Sequence, residues 1–208
     1  MNTRGRNIYF TKQENLDFLF FKSTDALYCS PITSIFLMNE LYSFTVPIFI
    51  KSLGGLKTVL MKAGVHAQQI GITEESLLKD QLAPDMFPLV KQVQVACNNA
   101  KDAVARLTGT EAPTFLDTEE TISDLLHRID ATVTFLQSLP ESAFTDAATR
   151  HVILPYFPNT YMTGFNYVHE YALPNFFFHT VIAYGIIRKN GVPIGKADYA
   201  NGLTLQPL

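Results

Sequence analysis

Four long segments of this chain carry apolar residues at every third or fourth position. In the first segment the repeating apolar residues are Phe49, Leu53, Leu56, Leu60 and Ala63. An α-helix turns once in about 3.6 residues, so this spacing places all of them on one face. The spacing predicts a helix over about residues 43–69 that ends at Gly71.

The remaining three segments predict helices over about 86–108, 119–139 and 164–189. Asp85 is placed to cap the second helix, and Asp117 or Thr118 to cap the third. Pro174 lies inside the last helix, where a kink is expected. The last helix is apolar on nearly all sides, which predicts that it is the most deeply buried.

A long connection, residues 140–163, separates the third and fourth helices and contains a strand-like run at 151–154. The pattern predicts an all-α four-helix bundle with one long crossover connection and a short hairpin. The tail from Ile194 to Tyr199 is expected to fold back on the bundle.

Residues 1–37 show no sustained helical period, so the bundle domain is expected to span 38–199, followed by a tail at 200–208. Met38 is a candidate natural start of the chain. The alternative is that residues 1–37 form an N-terminal element packed on the bundle.

Composition argues against several classes of function. The net charge is −3 and no block of Lys and Arg occurs, so no nucleic-acid partner is expected. We identify no apolar segment long enough for a membrane span, and the closest is 26–38. Cys29 and Cys97 form neither a disulfide framework nor a metal-binding CxxC motif. These features predict a soluble, cytoplasmic protein.

The histidines offer few ligands for a metal. No HxxxH pair occurs, and His127 is predicted to lie on the surface. His66 and His179 are the two that are expected to face inward. A catalytic zinc site takes three protein ligands, so we expect no metal and no cofactor. Each of these two histidines then serves as a core or capping residue, or as part of a ligand site.

Asn175 and His179 are four residues apart on the last helix and therefore share a face. They form either a polar pair that opens into a pocket or partners for the carbonyl groups that Pro174 leaves unbonded. Gln92 and Gln94 flank Val93, so one of them is expected to face inward. Asp85 and Gln92 join Asn175, His179 and His66 as candidate ligand-binding residues. The sequence gives no catalytic residue: Cys97 lies on an apolar flank, where a buried thiol is inert.

Several motifs together resemble a known family. They are LAPDMFPL at 82–89, QVQ at 92–94, LPNFFFH at 173–179 and NGVPIGKADY at 190–199. In this order they are similar to a bacterial and fungal domain-of-unknown-function family related to the DinB/YfiT-like four-helix bundle metalloenzymes. The resemblance implies a DinB-like bundle, often a dimer. Active relatives use one histidine from the second helix and an HxxxH-like pair from the last. Here the second helix has no histidine, and Ala183 follows His179 by four residues.

Three hypotheses about function follow. The first is a metal-free module that binds a small apolar ligand, or an interaction partner, near Asn175 and His179. The second is a divergent DinB-like metal-dependent enzyme, a thiol transferase or hydrolase, that uses His66, His179 and a carboxylate such as Asp85. The third is a structural homodimer formed by helix packing, with close contact at Gly54 and Gly55.

Overall fold

The computed structural model describes residues 40–208. The predictions about residues 1–37, Cys29 and Met38 lie outside the described residues. The helices are α1 (Glu40–Ser43), α2 (Val46–Ile70), α3 (Glu74–Lys79), α4 (Leu89–Thr108), α5 (Ile122–Ser138), α6 (Gly164–Asn166), α7 (Leu173–Lys189) and α8 (Lys196–Ala200). A 3₁₀ helix (Glu141–Phe144), strands β1 (His151–Val152) and β2 (Met162–Thr163), and a π-helical segment (Tyr167–Ala172) complete the fold.

The bundle consists of α2, α5, α4 and α7, and each of these helices packs against the next around the ring. The closest packing is between α4 and α7. The five apolar residues that predicted the first helix are fully buried in α2. Gly71 ends α2 in the left-handed conformation, which glycine adopts without a steric penalty. The predicted all-α four-helix bundle is therefore confirmed.

Two predicted helix caps are wrong. Helix α4 begins after Pro88, and Asp85 lies exposed in the preceding turn. Proline suits this place because its missing N–H removes one donor that the first helical turn cannot satisfy.

Helix α5 begins after Thr121 rather than after Asp117 or Thr118. Thr121 and Asp124 form a reciprocal capping box at this end, in which each side chain accepts a hydrogen bond from the other residue's backbone. Asp117 is held elsewhere, because its carboxylate pairs with Lys91 and Arg128.

The last helical segment is not buried on all sides, contrary to the prediction. Its α7 part buries Phe176, Ala183 and Ile186, whereas Phe178 and Val181 are about half exposed. Among the described helices of the bundle, α7 packs mainly against α4 and α2. A π-helical segment immediately precedes α7, and the kink expected at Pro174 stays a prediction.

The long connection crosses from the end of α5 to α6. It contains the 3₁₀ helix and a short antiparallel hairpin, in which His151 pairs with Thr163 and Val152 with Met162. The predicted hairpin is confirmed, and its first strand is shorter than the 151–154 run.

Helix α8 folds back onto α2 at the two adjacent glycines. A Cβ atom added to Gly55 would overlap the backbone oxygen of Tyr199, and one added to Gly54 would overlap the Asn201 side chain. Lys62 and Asp198 form an ion pair across the same contact at 2.5 Å. The close approach predicted at Gly54 and Gly55 therefore occurs within one chain.

One described stretch, Glu40–Ile70, is long and apolar enough to cross a membrane by length and composition. The sequence prediction that no segment qualifies thus missed this helix. In the structure, the apolar face of α2 forms part of the bundle core, and a core helix passes the same test as a membrane span.

Candidate functional site

Three hydrogen-bonded side-chain pairs cross the interface between α4 and the last helical segment. Their α4 members are spaced by seven residues, or about two helical turns, so they lie along one flank of α4. The pairs are Gln92 with His179, Asn99 with Asn175, and Arg106 with Tyr167. This interface is the most extensive one in the bundle, and it therefore contains three polar contacts.

The Gln92 side chain fixes the tautomer of His179. Gln92 Nε2 donates a hydrogen bond of 3.0 Å to the backbone oxygen of Phe87, so Gln92 Oε1 is the amide atom that faces the imidazole. Oε1 lies 2.7 Å from His179 Nδ1. Because an amide oxygen can only accept, Nδ1 carries the proton and donates. In the neutral ring, His179 Nε2 then carries a lone pair.

The imidazole lies between two aromatic rings. The Phe87 ring stacks on it with a centroid distance of 6.4 Å, and the Phe178 ring meets it edge-on at 5.3 Å. His179 is 7% exposed, whereas Phe87 and Phe178 are each 52% exposed. Phe87, Gln92, Phe178 and His179 are called the His179 site below.

Burial lowers the pKa of His179 below its usual value, because the charged imidazolium is poorly solvated there. At neutral pH the ring is therefore uncharged. Within the part of the chain that the structure describes, Nε2 has no hydrogen-bond partner. The His179 site thus presents a neutral hydrogen-bond acceptor between two partly exposed aromatic rings.

Asn175 and His179 share a face, as the spacing predicted, but they do not serve the carbonyl groups near Pro174. Asn175 Nδ2 donates to Asn99 Oδ1 across the helix interface at 3.2 Å. Asn99 Nδ2 is buried and, among residues 40–208, has no partner. A buried amide without a partner costs free energy, so this pair is the least well satisfied of the three polar contacts in the interface.

His66, another candidate residue, lies apart from this pair. It is half-buried near the end of α2, where a Cβ atom added to Gly191 would lie 3.7 Å from its Nε2. Gly191 follows the end of α7, which is about 15 Å along the helix from His179. Asp85 is exposed in the turn before α4, two residues before Phe87. The structure therefore brings Gln92 to His179 and places His66 elsewhere, and Asp85 makes no hydrogen bond to His179 within the described residues.

Sequence reasoning missed the role of Phe87. Its backbone oxygen orients Gln92 and its ring covers His179, yet the sequence marks it only as part of the turn before Pro88. The Gln94 prediction was also incomplete, because Gln92 and Gln94 are both buried. The useful signal would have been the seven-residue spacing of the polar residues at 92, 99 and 106.

A second polar cluster, also missed, holds the loop between α4 and α5 against the bundle. The Arg128 side chain is 1% exposed and pairs with Glu119 at 2.6 Å and with Asp117 at 3.0 Å. Lys91 also binds Asp117, at 2.6 Å. Burial acts to raise the pKa of Asp117, but the hydrogen bond from Lys91 and the charge of Arg128 outweigh it and lower that pKa.

The loop also covers this cluster with an aromatic ring. The Phe115 ring lies 4.9 Å from the guanidinium carbon of Arg128 and 5.5 Å from Lys101 Nζ, a cation–π arrangement. An open cavity of about 540 Å³ lies beside it and is lined by Arg128, Glu119 and His127 among others. Because Glu119 and Asp117 already neutralise Arg128, we interpret this cluster as a structural attachment of the loop.

Fold and helix arrangement define a DinB-like helical bundle. A crystal structure of a DinB family member protein from Shewanella denitrificans is similar to this chain, with a TM-score of 0.81 and 39% sequence identity. The match covers 84% of this chain and 99% of that one. No curated protein matches the chain.

Residues 41–200 match the family model of DUF1993, a domain of unknown function. The chain belongs to the DUF1993 family. The resemblance that the motifs indicated, including its relation to DinB proteins, is thereby confirmed.

The side chains present do not fit the histidine-bound metal that the DinB-like resemblance implies. Across from His179, helix α4 supplies the amide of Gln92 instead of an imidazole, and Ala183 stands four residues after His179. In residues 40–208, no three His, Cys, Asp or Glu side chains come together as a metal-binding group. We therefore derive no chemical step through a metal.

Proposed function

We propose that this protein binds a small, largely apolar ligand at the His179 site. The observation that carries the proposal is the neutral acceptor nitrogen of His179, held between the partly exposed rings of Phe87 and Phe178. Small-molecule sites generally combine apolar and aromatic walls with a few placed polar groups. This arrangement has both.

The positions of these groups are set by the helices rather than by mobile side chains. Gln92 is 1% exposed and makes hydrogen bonds at both ends of its amide. His179 consequently has one ring orientation and one tautomer before any ligand arrives. Such preorganisation reduces the conformational entropy that binding would otherwise remove.

The proposal is tested by titrating the protein with toluene and anisole and following the backbone amide NMR signals of residues 87 and 178. We expect saturable shifts centred on these two residues. Phe178→Ser should weaken binding several-fold, because it removes one aromatic wall. The matched control is Phe165→Ser, which changes another exposed phenylalanine and should leave the affinity unchanged. Shifts that do not saturate, or that centre elsewhere, would reject the site.

A divergent metal-dependent enzyme, a thiol transferase or hydrolase, is the second candidate. One observation favours it: a histidine whose Nδ1–H is held by an oxygen presents Nε2 as metal-binding histidines do. The small number of metal-ligating side chains around His179 weighs against this candidate. Elemental analysis of purified protein, with melting temperatures measured with zinc, nickel and manganese, decides between the two candidates. Stoichiometric metal and a large rise in melting temperature would favour the enzyme.

A homodimer formed by helix packing is a further proposal. Because α8 covers Gly54 and Gly55, a second copy would need a different face. The exposed side chains Phe178 and Val181 on α7 offer one. Light scattering of the wild-type protein and of Val181→Ser tests this, and a monomeric wild-type protein at high concentration would reject the dimer.

A further inference from the structure

We infer that the His179 site selects uncharged ligands that carry a hydroxyl or N–H donor, such as phenols, over matched ligands that lack the donor. This inference rests on the proposed function and adds the chemical class of the ligand. It follows from three features of the described residues: the fixed direction of the Gln92 amide, the lone pair that this leaves on His179, and the uncharged surroundings.

The direction of the Gln92 amide is set by the backbone of Phe87. The Phe87 backbone oxygen can only accept a hydrogen bond, so it selects the NH₂ end of the amide at 3.0 Å. Reversing the amide would place two oxygens together there. Gln92 is therefore a positioning residue: it acts on a ligand only through the imidazole.

The consequence at the other ring nitrogen is selectivity for a donor. A hydroxyl or N–H group can bond to the His179 Nε2 lone pair, whereas an ether oxygen or a carbonyl oxygen would meet it lone pair to lone pair. A buried acceptor left without a partner loses its hydration. Binding a ligand without a donor therefore removes water from Nε2 and puts nothing in its place.

Charge near the site excludes ionised ligands. The four residues of the His179 site are all uncharged, and burial lowers the pKa of His179 so that its ring is neutral as well. An ionised ligand seated between the two aromatic rings would lose hydration and would gain no counter-charge from these four side chains. Desolvation of an unpaired charge is costly, so uncharged donors are favoured over both anionic and cationic ligands.

The aromatic rings define the rest of the ligand. The Phe87 ring lies at 19° to the imidazole plane, and the Phe178 ring is nearly perpendicular to it at 89°. Both rings have free surface, so a flat ligand can contact one face and one edge while its donor reaches Nε2. A phenol has this shape, with the donor in the plane of its ring.

The experiment compares phenol with anisole, which differs only by a methyl group on the oxygen. Dissociation constants are measured by NMR titration at neutral pH, with benzylammonium and benzoate as charged probes. We expect phenol to bind about three- to ten-fold more tightly than anisole, the range that one net hydrogen bond provides. Both charged probes should bind more weakly than phenol.

Two variants test the role of the fixed tautomer. In Gln92→Glu the carboxylate favours the imidazolium form, so Nε2 becomes a donor and the preference for phenol should disappear. His179→Phe removes the acceptor but keeps a ring, and it serves the same purpose if Gln92→Glu does not fold. His169→Phe, at an exposed histidine of the π-helical segment, is the control and should retain the preference.

The outcomes separate this inference from the proposed function. Equal affinities for phenol and anisole, both centred on residues 87 and 178, would overturn the donor inference and leave ligand binding standing. Tighter binding of benzylammonium or benzoate than of phenol would also overturn it. Failure of all four probes to bind at the site would reject the inference and the proposed function together.

Discussion

Replacing Arg128 with methionine should destabilise the protein by about 3–5 kcal/mol, the usual cost of breaking a buried ion pair from one side. The Arg128 side chain is 1% exposed and the Glu119 side chain 10% exposed, and the two are joined at 2.6 Å. Arg128 also bonds to Asn98 at 3.0 Å and to Asp117 at 3.0 Å. Without the guanidinium group, the one hydrogen bond left to the Glu119 carboxylate from residues 40–208 would be that from Gln94 Nε2 at 2.8 Å.

Substitution of Glu119, the partner of Arg128, should lower the stability of the protein by less. Glu119→Gln leaves Arg128 paired with Asp117, so the loss is about 1–3 kcal/mol, as for a hydrogen bond to a charged group. In the double variant Arg128→Met/Glu119→Gln neither charge is left alone. Its destabilisation should therefore fall below the sum of the two single effects by more than about 1 kcal/mol.

The assay is urea unfolding followed by circular dichroism, with the three variants compared in one buffer. Lys79→Met is the control, because Lys79 pairs with Glu75 on the surface with side chains 72% and 70% exposed. Such an exposed, solvent-screened pair contributes little to stability, so Lys79→Met should leave the unfolding free energy nearly unchanged. A loss below about 1 kcal/mol for Arg128→Met, or strictly additive effects, would refute a buried cluster that holds the loop.

Three further predictions concern other parts of the molecule. Gly55→Ala should lower stability by more than about 1 kcal/mol by displacing α8, whereas Gly185→Ala in α7 should be neutral or stabilise by about 0.5–1 kcal/mol, and urea unfolding compares them. Because burial lowers the pKa of His179 from 6.5, the neutral ring stabilises the fold fully above that pH, and this contribution is lost as the pH falls further. Wild type should therefore lose unfolding free energy relative to His179→Phe as the pH falls below about 6.5, and a constant difference would contradict this. Burial raises the pKa of Cys97 to about 11, so in a Cys29→Ser background iodoacetamide should label Cys97 only at the rate of unfolding, and rapid labelling of the folded protein would disprove its burial.

The sequence predicted the core of the bundle well because that information is local. The stripe from Phe49 to Ala63 needs only the helical period to define a buried face, and α2 buries it completely. The end of α2 at Gly71 is likewise local. Each follows from the backbone chemistry of a few neighbouring residues.

The pairing of Gln92 with His179 could not be predicted, because 87 residues separate them. It depends on the register of α4 against α7, which no single helix determines. The expectation for the last helix failed for a related reason. Its apolar character could not show that Phe178 would face outward, since hydrophobicity alone does not say how many neighbours a helix has.

Arg128 shows a third limit. It lies three residues after Leu125 and directly before Ile129, both buried, so the helical period places it close to the core. Charged side chains are rarely buried without partners, so its sequence position alone does not predict burial. Leu126 and Val133 are apolar residues at helical spacing in the same helix. Those two side chains are only half-buried, whereas Leu125 and Thr132 are buried. The loop carboxylates that make a buried arginine acceptable come from outside the helix.

The most direct test of the His179 site is the ¹⁵N NMR spectrum of the labelled His179 ring at about pH 7.5, where a neutral imidazole shows which nitrogen is protonated. We expect a protonated Nδ1 and an unprotonated Nε2. Gln92→Glu should shift both nitrogens toward the imidazolium pattern. A wild-type ring protonated at Nε2, or at both nitrogens, would contradict the acceptor on which the proposed ligand class depends.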